Sequence, residues 1–184
     1  MNIFSTIAGK LDVAMETIDD FSLSVITEIK TKGMYRDFFL HLGERLQGRL
    51  ITAVMRKKGC RAKFVDPMEC IFFYKNGDVD RKKSYVHIRS HCRGNYFFIF
   101  PGFFGKGPDG RVKTFPPSGS DITFTTVAGA LEPKICDKGT DVPGIFPLRP
   151  GLQDVEYVPI DFLSHKDLRK FLYRSEERRV GKEC

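Results

Sequence analysis

The chain has 184 residues, which suits one domain with a substantial core and is short for two. Hydrophobic residues make up 41% of it, which excludes a disordered polypeptide, and no apolar run approaches the roughly eighteen residues of a membrane-spanning helix. The formal net charge of +7 suits an acidic partner such as a nucleic acid, but no nucleic-acid motif accompanies it.

The cysteines and the N-terminus bear on the compartment. The five cysteines show no C-x-x-C spacing and their number is odd. This pattern predicts reduced thiols rather than a disulfide framework. The N-terminus lacks the basic-then-apolar order of a secretory signal peptide. We therefore expect a cytoplasmic protein that contacts no membrane.

Two helices are predicted in the first third of the chain. The first lies within residues 2–32, ends before Gly33, and carries apolar residues at helical spacing: Ile18, Phe21, Val25 and Ile29. The second runs from Asp37 to Lys58 and carries a buried stripe at four-residue intervals: Leu42, Leu46, Leu50 and Val54. Gly59 follows in a position that a helix C-terminus favours for glycine.

The middle of the chain predicts short strands around one further helix. RAKFVDP (61–67) predicts a strand, and the apolar run CIFFYKNGDVD (70–80) ends at an Asn-Gly turn. Residues 84–93 predict a helix, and NYFFIFPGFF (95–104) predicts a strand suited to the middle of a sheet. The basic segments MRKKGCRAK and RKKSYVHIRSHCRG would suit a phosphate-binding surface, but we interpret them as solvated helix ends.

Two motifs in this region have both a chemical and a structural interpretation. Gly105–Gly110 matches the dinucleotide fingerprint G-x-G-x-x-G, but Pro108-Asp109-Gly110 is turn chemistry and RVKTF alternates like a strand, so we predict a β-hairpin.

The second motif has the residue types of a metal site, with two histidines one helical turn apart: His87, His91 and Cys92. Because no second cluster supplies the remaining ligands, we predict a surface helix and no metal site.

The segment FPPSGSDITFTTVAGAL (115–131) predicts a stop, a polar turn and a helix. Pro116 and Pro117 prevent a helix from running through them. Ser118-x-x-Asp121 approximates a capping box, a purely local role. A Gly-containing turn at a helix N-terminus also presents free N–H groups and the positive dipole end to an anion. The residue pattern alone leaves both interpretations open.

The C-terminal third continues the alternation of strands and helices. KICDKGTDV (134–142) predicts a strand, and Asp141 at its end either starts a turn or lies where open α/β sheets bind ligands. SHKDLRKFLY (164–173) predicts an amphipathic helix with Ser164 as its N-cap. The alternation predicts an α/β sheet with helices on both faces.

The last residues are set apart from this pattern. RSEERRVGKEC (174–184) is dominated by charged residues, with Val180 as its one sizeable apolar residue, and it resembles the translation of a common sequencing-library adapter. We therefore predict one domain over residues 1–173 and a non-native tail over residues 174–184.

Four segments together resemble one family. GERLQGRLITAVMRKKG, FPGFFGKGPDGRVKTF, SGSDITFTTVAGAL and TDVPGIF occur in the order and spacing of aspartate kinases of the amino acid kinase fold. TDVPGIF alone would suit several amino acid kinases, whereas Gly43-Glu44 together with SGSD resembles those that act on aspartate. The resemblance implies a partial catalytic domain with an incomplete three-layer α/β sandwich around a mostly parallel sheet.

The resemblance also implies an activity and a set of site residues. The activity is transfer of the γ-phosphoryl group of Mg-ATP to the side-chain carboxylate of L-aspartate, on the route to lysine, threonine and methionine. It implies that Glu44 binds the substrate's ammonium group. The aspartate and phosphate pocket would include Gly105, Gly119, Ser120 and Asp121, with Ser120 and Asp121 catalytic. The nucleotide would border Thr140, Asp141 and Phe146, and the full-length protein would be a homo-oligomer.

Departures from the family pattern predict that this chain is inactive as it stands. The family's opening strand, with its Lys-Phe-Gly-Gly motif and catalytic lysine, is absent from the sequence, and Pro117 and Ser118 occupy the family's Arg-Gly positions. Two alternatives remain open: another kinase of the same fold, acting on a glutamate derivative or UMP, and a basic nucleic-acid-binding module. The module would use four basic residues: Arg81, Lys82, Lys83 and Arg89.

Overall fold

The computed structural model describes residues 16–116 and 119–139, together with residues 160, 162, 164, 166 and 167. The chain divides into two compact units, Met1–Ile135 and Cys136–Cys184. All named helices and strands belong to the first unit. Over the described ranges, no helix has the length and apolar character needed to cross a membrane.

The first two helices pack on each other through the predicted stripe. Helix α1 (Glu16–Lys32) and helix α2 (Arg36–Lys57) are joined through Gly33, whose φ of +75° favours glycine. Their shared apolar cluster contains Ile18, Phe21, Leu46 and Leu50, with Val25, Leu42 and Val54 packed against it. The predicted helix from Asp37 to Lys58 is therefore confirmed to within a residue at each end.

A short parallel sheet lies between helices. Strand β1 (Ala62–Phe64) pairs in parallel with strand β2 (Phe97–Ile99). Between them come the single turn α3 (Pro67–Cys70) and helix α4 (Arg81–His91). Phe64 contacts α2 at Gly48, whereas Lys63 Nζ donates a hydrogen bond to His91 O at the end of α4, 3.2 Å away. Successive residues of β1 thus contact helices on opposite faces, as predicted for an α/β sheet.

The predicted hairpin is confirmed. Strand β3 (Phe104–Lys106) pairs antiparallel with strand β4 (Val112–Thr114), and Gly110 has a φ of +77° in the turn between them. A strand therefore follows the glycines where a dinucleotide fingerprint requires a helix. Side chains from the start of α2 cover the outer edge of β4: Tyr35 Oη accepts from Val112 N–H at 2.8 Å, and Asp37 Oδ2 accepts from Thr114 N–H at 3.1 Å.

Helix α5 (Gly119–Leu131) packs against α4 over the main core. This core contains Val65, Cys70, Ile71, Phe73, Ile88, Phe115 and Ala130. At the C-terminal end of α5, Arg89 Nε donates to Ala130 O at 2.6 Å and thereby satisfies a terminal helix carbonyl. In the second unit, Ser164 Oγ accepts from Asp167 N–H at 3.1 Å, which confirms Ser164 as an N-cap.

Three boundaries differ from the predictions. The predicted strand over 95–104 is interrupted after Ile99, because Pro101 has no N–H for a ladder and Phe103 adopts a φ of +63°. Residues 134–139 form no strand and are exposed, because charged residues leave only Ile135-Cys136 as an apolar run. Helix α4 begins at Arg81 rather than at residue 84, because Asp80 Oδ1 accepts from Lys83 N–H and caps it.

Candidate functional site

One cleft brings together two of the predicted site residues, Glu44 and Ser120. It has a volume of about 440 Å³ and lies between α2, α5 and the segment that leaves β2. Its lining residues are Glu44, Gln47, Gly48, Ile51, Ile99, Phe100, Pro101, Gly102, Ser120, Thr123, Phe124 and Val127. The cleft therefore combines apolar walls with a few polar groups, which is the usual composition of a small-molecule site.

Glu44 lines the cleft because the apolar stripe of α2 packs against α1 and leaves Glu44 on another face of the helix. It is half-buried, and Gln47, one turn further along, lines the same wall. Within the described residues, the Glu44 carboxylate has no ion-pair or hydrogen-bond partner. A half-buried carboxylate in a cleft is a favourable partner for a ligand cation, since screening by water is reduced there.

Gly48 determines how closely the opposite wall approaches α2. A Cβ at Gly48 would lie 2.8 Å from Pro101 Cγ and 3.0 Å from Phe64 Cε2. Any side chain here would therefore push Pro101 away from α2. The cleft keeps its width because this helical position is glycine.

Ser120 lies in the first turn of α5 and contacts the segment that leaves β2. A Cβ at Gly102 would lie 3.0 Å from Ser120 Oγ and 3.2 Å from Ser120 Cα. Helix α5 begins at Gly119, whose N–H donates to Pro116 O at 3.0 Å. The following N–H groups lie in the first turn, where a helix provides no acceptors and the dipole is positive.

The other predicted residues of the aspartate and phosphate pocket have different surroundings. Asp121 is exposed beside Ser120 and is not among the residues that line the cleft. Gly119 is buried against Phe115 and Phe103. Gly105 lies in β3, where a Cβ would be 2.6 Å from Ile71 O, so its described contact is with the core.

Several predicted positions lie outside the described residues. These include Pro117 and Ser118, so the capping-box interpretation stays a prediction. The predicted nucleotide residues are outside as well: Thr140, Asp141 and Phe146.

The histidines and basic residues of α4 have structural contacts. The His87 ring lies 4.6 Å from the Phe72 ring, and His91 Nε2 lies 3.2 Å from Glu69 Oε2. Across the described ranges, no three His, Cys, Asp or Glu side chains are grouped as metal ligands. Arg89 Nη2 pairs with Glu132 at 2.8 Å, and Lys83 Nζ lies 4.1 Å from the centre of the Phe72 ring. Two of the four basic residues of the nucleic-acid alternative are therefore engaged within the fold.

A buried polar network supports α2 next to Glu44. Arg45 Nε donates to Asp66 Oδ2 at 2.9 Å, and its Nη1 donates to Glu28 Oε2 at 3.2 Å. His41 is fully buried, with its Nδ1 2.6 Å from Phe38 O. Burial and the neighbouring Arg45 charge lower the pKa of His41, so the ring is neutral at physiological pH. The network joins α1, α2 and the start of α3.

The sequence analysis missed three residues that shape the cleft: Gly102, Phe103 and Thr123. Phe103 has a left-handed backbone, which a bulky residue rarely adopts and no local pattern signals. Thr123 lies inside helix α5, and nothing in its local sequence indicates that it contacts Phe103, because that contact forms only in the folded protein. Gly102, between Pro101 and Phe103, offered a turn signal that the apolar run obscured.

Comparison with known proteins gives one consistent result. The family model described as "Amino acid kinase family" matches residues 4–180. Aspartokinase 3 of Bacillus subtilis (strain 168) is 28% identical over 177 residues, which cover 92% of this chain and 39% of the relative. Aspartokinase 1, chloroplastic, of Arabidopsis thaliana is 28% identical over 148 residues, which cover 75% of this chain and 26% of that relative.

Solved structures agree with the sequence relatives. The aspartate kinase of Clostridium acetobutylicum superposes with a TM-score of 0.73 at 29% identity, over 91% of this chain and 37% of that chain. E. coli aspartokinase III, in complex with aspartate and ADP, gives a TM-score of 0.61 at 22% identity, over 72% of this chain and 32% of its own, and shows the fold alone. The predicted α/β fold is thereby confirmed, incomplete relative to the full fold. The chain spans about a quarter to two-fifths of the length of these relatives.

Proposed function

The chain belongs to the amino acid kinase family, and from this premise we propose that it is part of an aspartate kinase. Such an enzyme transfers the γ-phosphoryl group of ATP to the side-chain carboxylate of L-aspartate, in the biosynthesis of lysine, threonine and methionine. Glu44 and Ser120, each predicted from a separate sequence motif, line one cleft. This observation carries the proposal.

The cleft has complementary groups for the two ends of an amino acid. Glu44 binds the ammonium group of aspartate, because its half-buried carboxylate is otherwise unpaired within the described part of the chain. The first turn of α5 binds the anionic end, with the N–H group of Ser120 at the wall of the cleft. Transfer then depends on positioning and on stabilisation of charge rather than on a covalent intermediate.

The nucleotide half of the site is proposed on the resemblance alone. Thr140, Asp141 and Phe146 would border ATP, and all three lie outside the described residues. Mg-ATP would supply the phosphoryl group and neutralise its charge. Among the described residues, no three His, Cys, Asp or Glu side chains are grouped as metal ligands. We propose a cytoplasmic, homo-oligomeric full-length enzyme.

The chain of 184 residues should by itself form no measurable aspartyl phosphate. It spans 39% of the length of the Bacillus relative. Proline also stands at position 117, where the resemblance implies an arginine that holds the substrate carboxylate. Losing one charge-stabilising group commonly lowers a rate on the order of a hundred- to a thousandfold. Substrate binding is therefore a better test than turnover.

The test is a calorimetric titration with aspartate and with succinate, which lacks the ammonium group. The chain should bind aspartate more tightly, and Glu44→Gln should remove that preference by weakening aspartate binding on the order of tenfold. Glu69→Gln is the matched control, because Glu69 is exposed on α3 and pairs with His91 outside the cleft. Equal binding of the two ligands by the unmodified chain, or an unchanged preference in Glu44→Gln, would refute the proposal.

A further inference from the structure

We propose that Thr123 is a positioning residue of the cleft, which holds the Gly102–Phe103 turn against the first turn of α5 and thereby fixes the place of Ser120. The inference rests on the proposed function for its ligand, aspartate. It goes further by assigning a role to a helix residue that lines the cleft and also accepts a hydrogen bond from the backbone of another segment.

The hydroxyl of Thr123 joins two segments. Thr123 Oγ1 accepts a hydrogen bond from Phe103 N–H at 3.0 Å and donates one to Gly119 O at 3.1 Å. Thr123 is 3% exposed, so water can scarcely replace either hydrogen bond if it is lost. The O–H of Thr123 donates within α5, to Gly119 O, and an oxygen lone pair accepts from the Phe103 N–H in the Gly102–Phe103 turn.

Phe103 needs such a partner because its backbone is unfavourable. Its φ of +63° lies in the left-handed region, which a bulky residue adopts only when its surroundings impose it. Two backbone hydrogen bonds hold it there. The N–H of Phe103 donates to Thr123, and its carbonyl accepts from Phe115 N–H at 2.8 Å. Thr123 thus supplies one of the two constraints.

The turn and the helix interlock through two glycines. A Cβ at Gly102 would lie 3.0 Å from Ser120 Oγ, and a Cβ at Gly119 would lie 3.2 Å from Phe103 Cβ. The two segments therefore pack closely at these glycines, and the hydrogen bond from Phe103 N–H to Thr123 joins them. Ser120 is therefore held beside Gly102, at the wall of the cleft that Pro101 and Gly102 form.

Thr126 provides a matched control in the same helix. It is 1% exposed, and its hydroxyl donates to Ile122 O at 2.7 Å, in the same kind of bond to the preceding turn of the helix. It is not among the residues that line the cleft. Replacing either threonine by valine removes a buried hydroxyl from α5, but only Thr123→Val removes the bond to Phe103.

The experiment measures amide hydrogen exchange by NMR and aspartate affinity in four chains: unmodified, Thr123→Val, Thr123→Ser and Thr126→Val. In Thr123→Val, the Phe103 amide should exchange on the order of tenfold faster, the Ser120 amide resonance should shift, and aspartate should bind on the order of tenfold more weakly. Thr123→Ser keeps the hydroxyl and should stay within about twofold of the unmodified chain. Thr126→Val should leave Phe103 exchange and aspartate affinity within about twofold, because its hydroxyl bonds only its own helix.

Two results would overturn the proposal. One is an unprotected Phe103 amide in the unmodified chain, a measurement that does not depend on whether Thr123→Val folds. The other is an equal response of the Phe103 and Ser120 amides to Thr123→Val and Thr126→Val, which would indicate a general loosening of α5. If the unmodified chain binds no aspartate but these amides respond to Thr123→Val alone, the proposed function fails and the positioning of Ser120 by Thr123 stands.

Discussion

Gly48 of α2 packs against Pro101 so closely that a Cβ on the glycine would lie 2.8 Å from Pro101 Cγ. Gly43 lies earlier in the same helix, and nothing lies within 4 Å of the Cβ that it would carry. The two helical glycines therefore have opposite surroundings. This difference gives a matched pair of alanine substitutions.

We expect Gly43→Ala to stabilise the protein by up to about 1 kcal/mol, because alanine is the better helix former. Gly48→Ala gains the same propensity but overpacks the contact with Pro101, which costs about 1–3 kcal/mol, so its net effect should be destabilising. Urea unfolding of both variants measures this difference. If Gly48→Ala stabilised the protein as much as Gly43→Ala, Pro101 would not be held against α2.

Stability should also depend on pH through His41. Because burial and Arg45 lower the pKa of His41, the unfolded chain takes up a proton below about pH 6.5 while the folded chain does not. The free energy of unfolding should therefore fall from about pH 6.5 down to the lowered pKa. His41→Asn keeps a donor for Phe38 O and cannot titrate, so it should show a smaller fall between about pH 8 and pH 5.5 in urea unfolding. If the free energy of unfolding fell equally in the variant, a group other than His41 would cause the pH dependence.

Cys70 should be unreactive in the folded protein. Burial in the main core raises the pKa of its thiol to about 12, so the thiolate is scarce at neutral pH. Alkylation with iodoacetamide followed by peptide mass mapping should label exposed Cys136 on the order of a thousandfold faster than Cys70. In urea the two rates should become similar. Comparable labelling without urea would mean that the core opens readily around Cys70.

The sequence alone predicted those helices and strands whose bounds are determined by neighbouring residues. Helix α2 was predicted to within a residue at each end because its stripe and Gly59 are local signals. The hairpin β3–β4 followed from Pro108-Asp109-Gly110 in the same way. The break after Ile99 was missed because the apolar run around Pro101-Gly102 obscured that local turn signal. The left-handed backbone of Phe103, which follows, had no local signal, because its N–H donates to Thr123, a residue twenty positions away in the sequence.

The candidate site shows the same division. Glu44 and Ser120 were predicted by resemblance and line one cleft. The resemblance did not predict which residues form the wall of the cleft between them. Gly102 and Gly48 form that wall through close packing, which has no sequence signature. Gly105 was also predicted for the pocket, and its described contact is with Ile71 in the core. Its proposed role in binding stays a prediction.

The tail over residues 174–184 stays a prediction as well. The family match extends to residue 180, beyond the boundary predicted at 173. We expect no core contacts from this charged segment, so deleting it should change the free energy of unfolding by no more than about 0.5 kcal/mol. Urea unfolding of the shortened chain gives the answer. A loss of several kcal/mol would show that the segment belongs to the folded domain.

Backbone amide chemical shifts test most directly whether one cleft binds aspartate between Glu44 and the first turn of α5. A ¹⁵N-labelled chain titrated with aspartate should show the amides of Ser120 and Asp121 shifting together with those around Glu44, along one saturating curve. Shifts confined to another surface, such as the basic start of α4, or shifts at Ser120 without any near Glu44, would contradict the account.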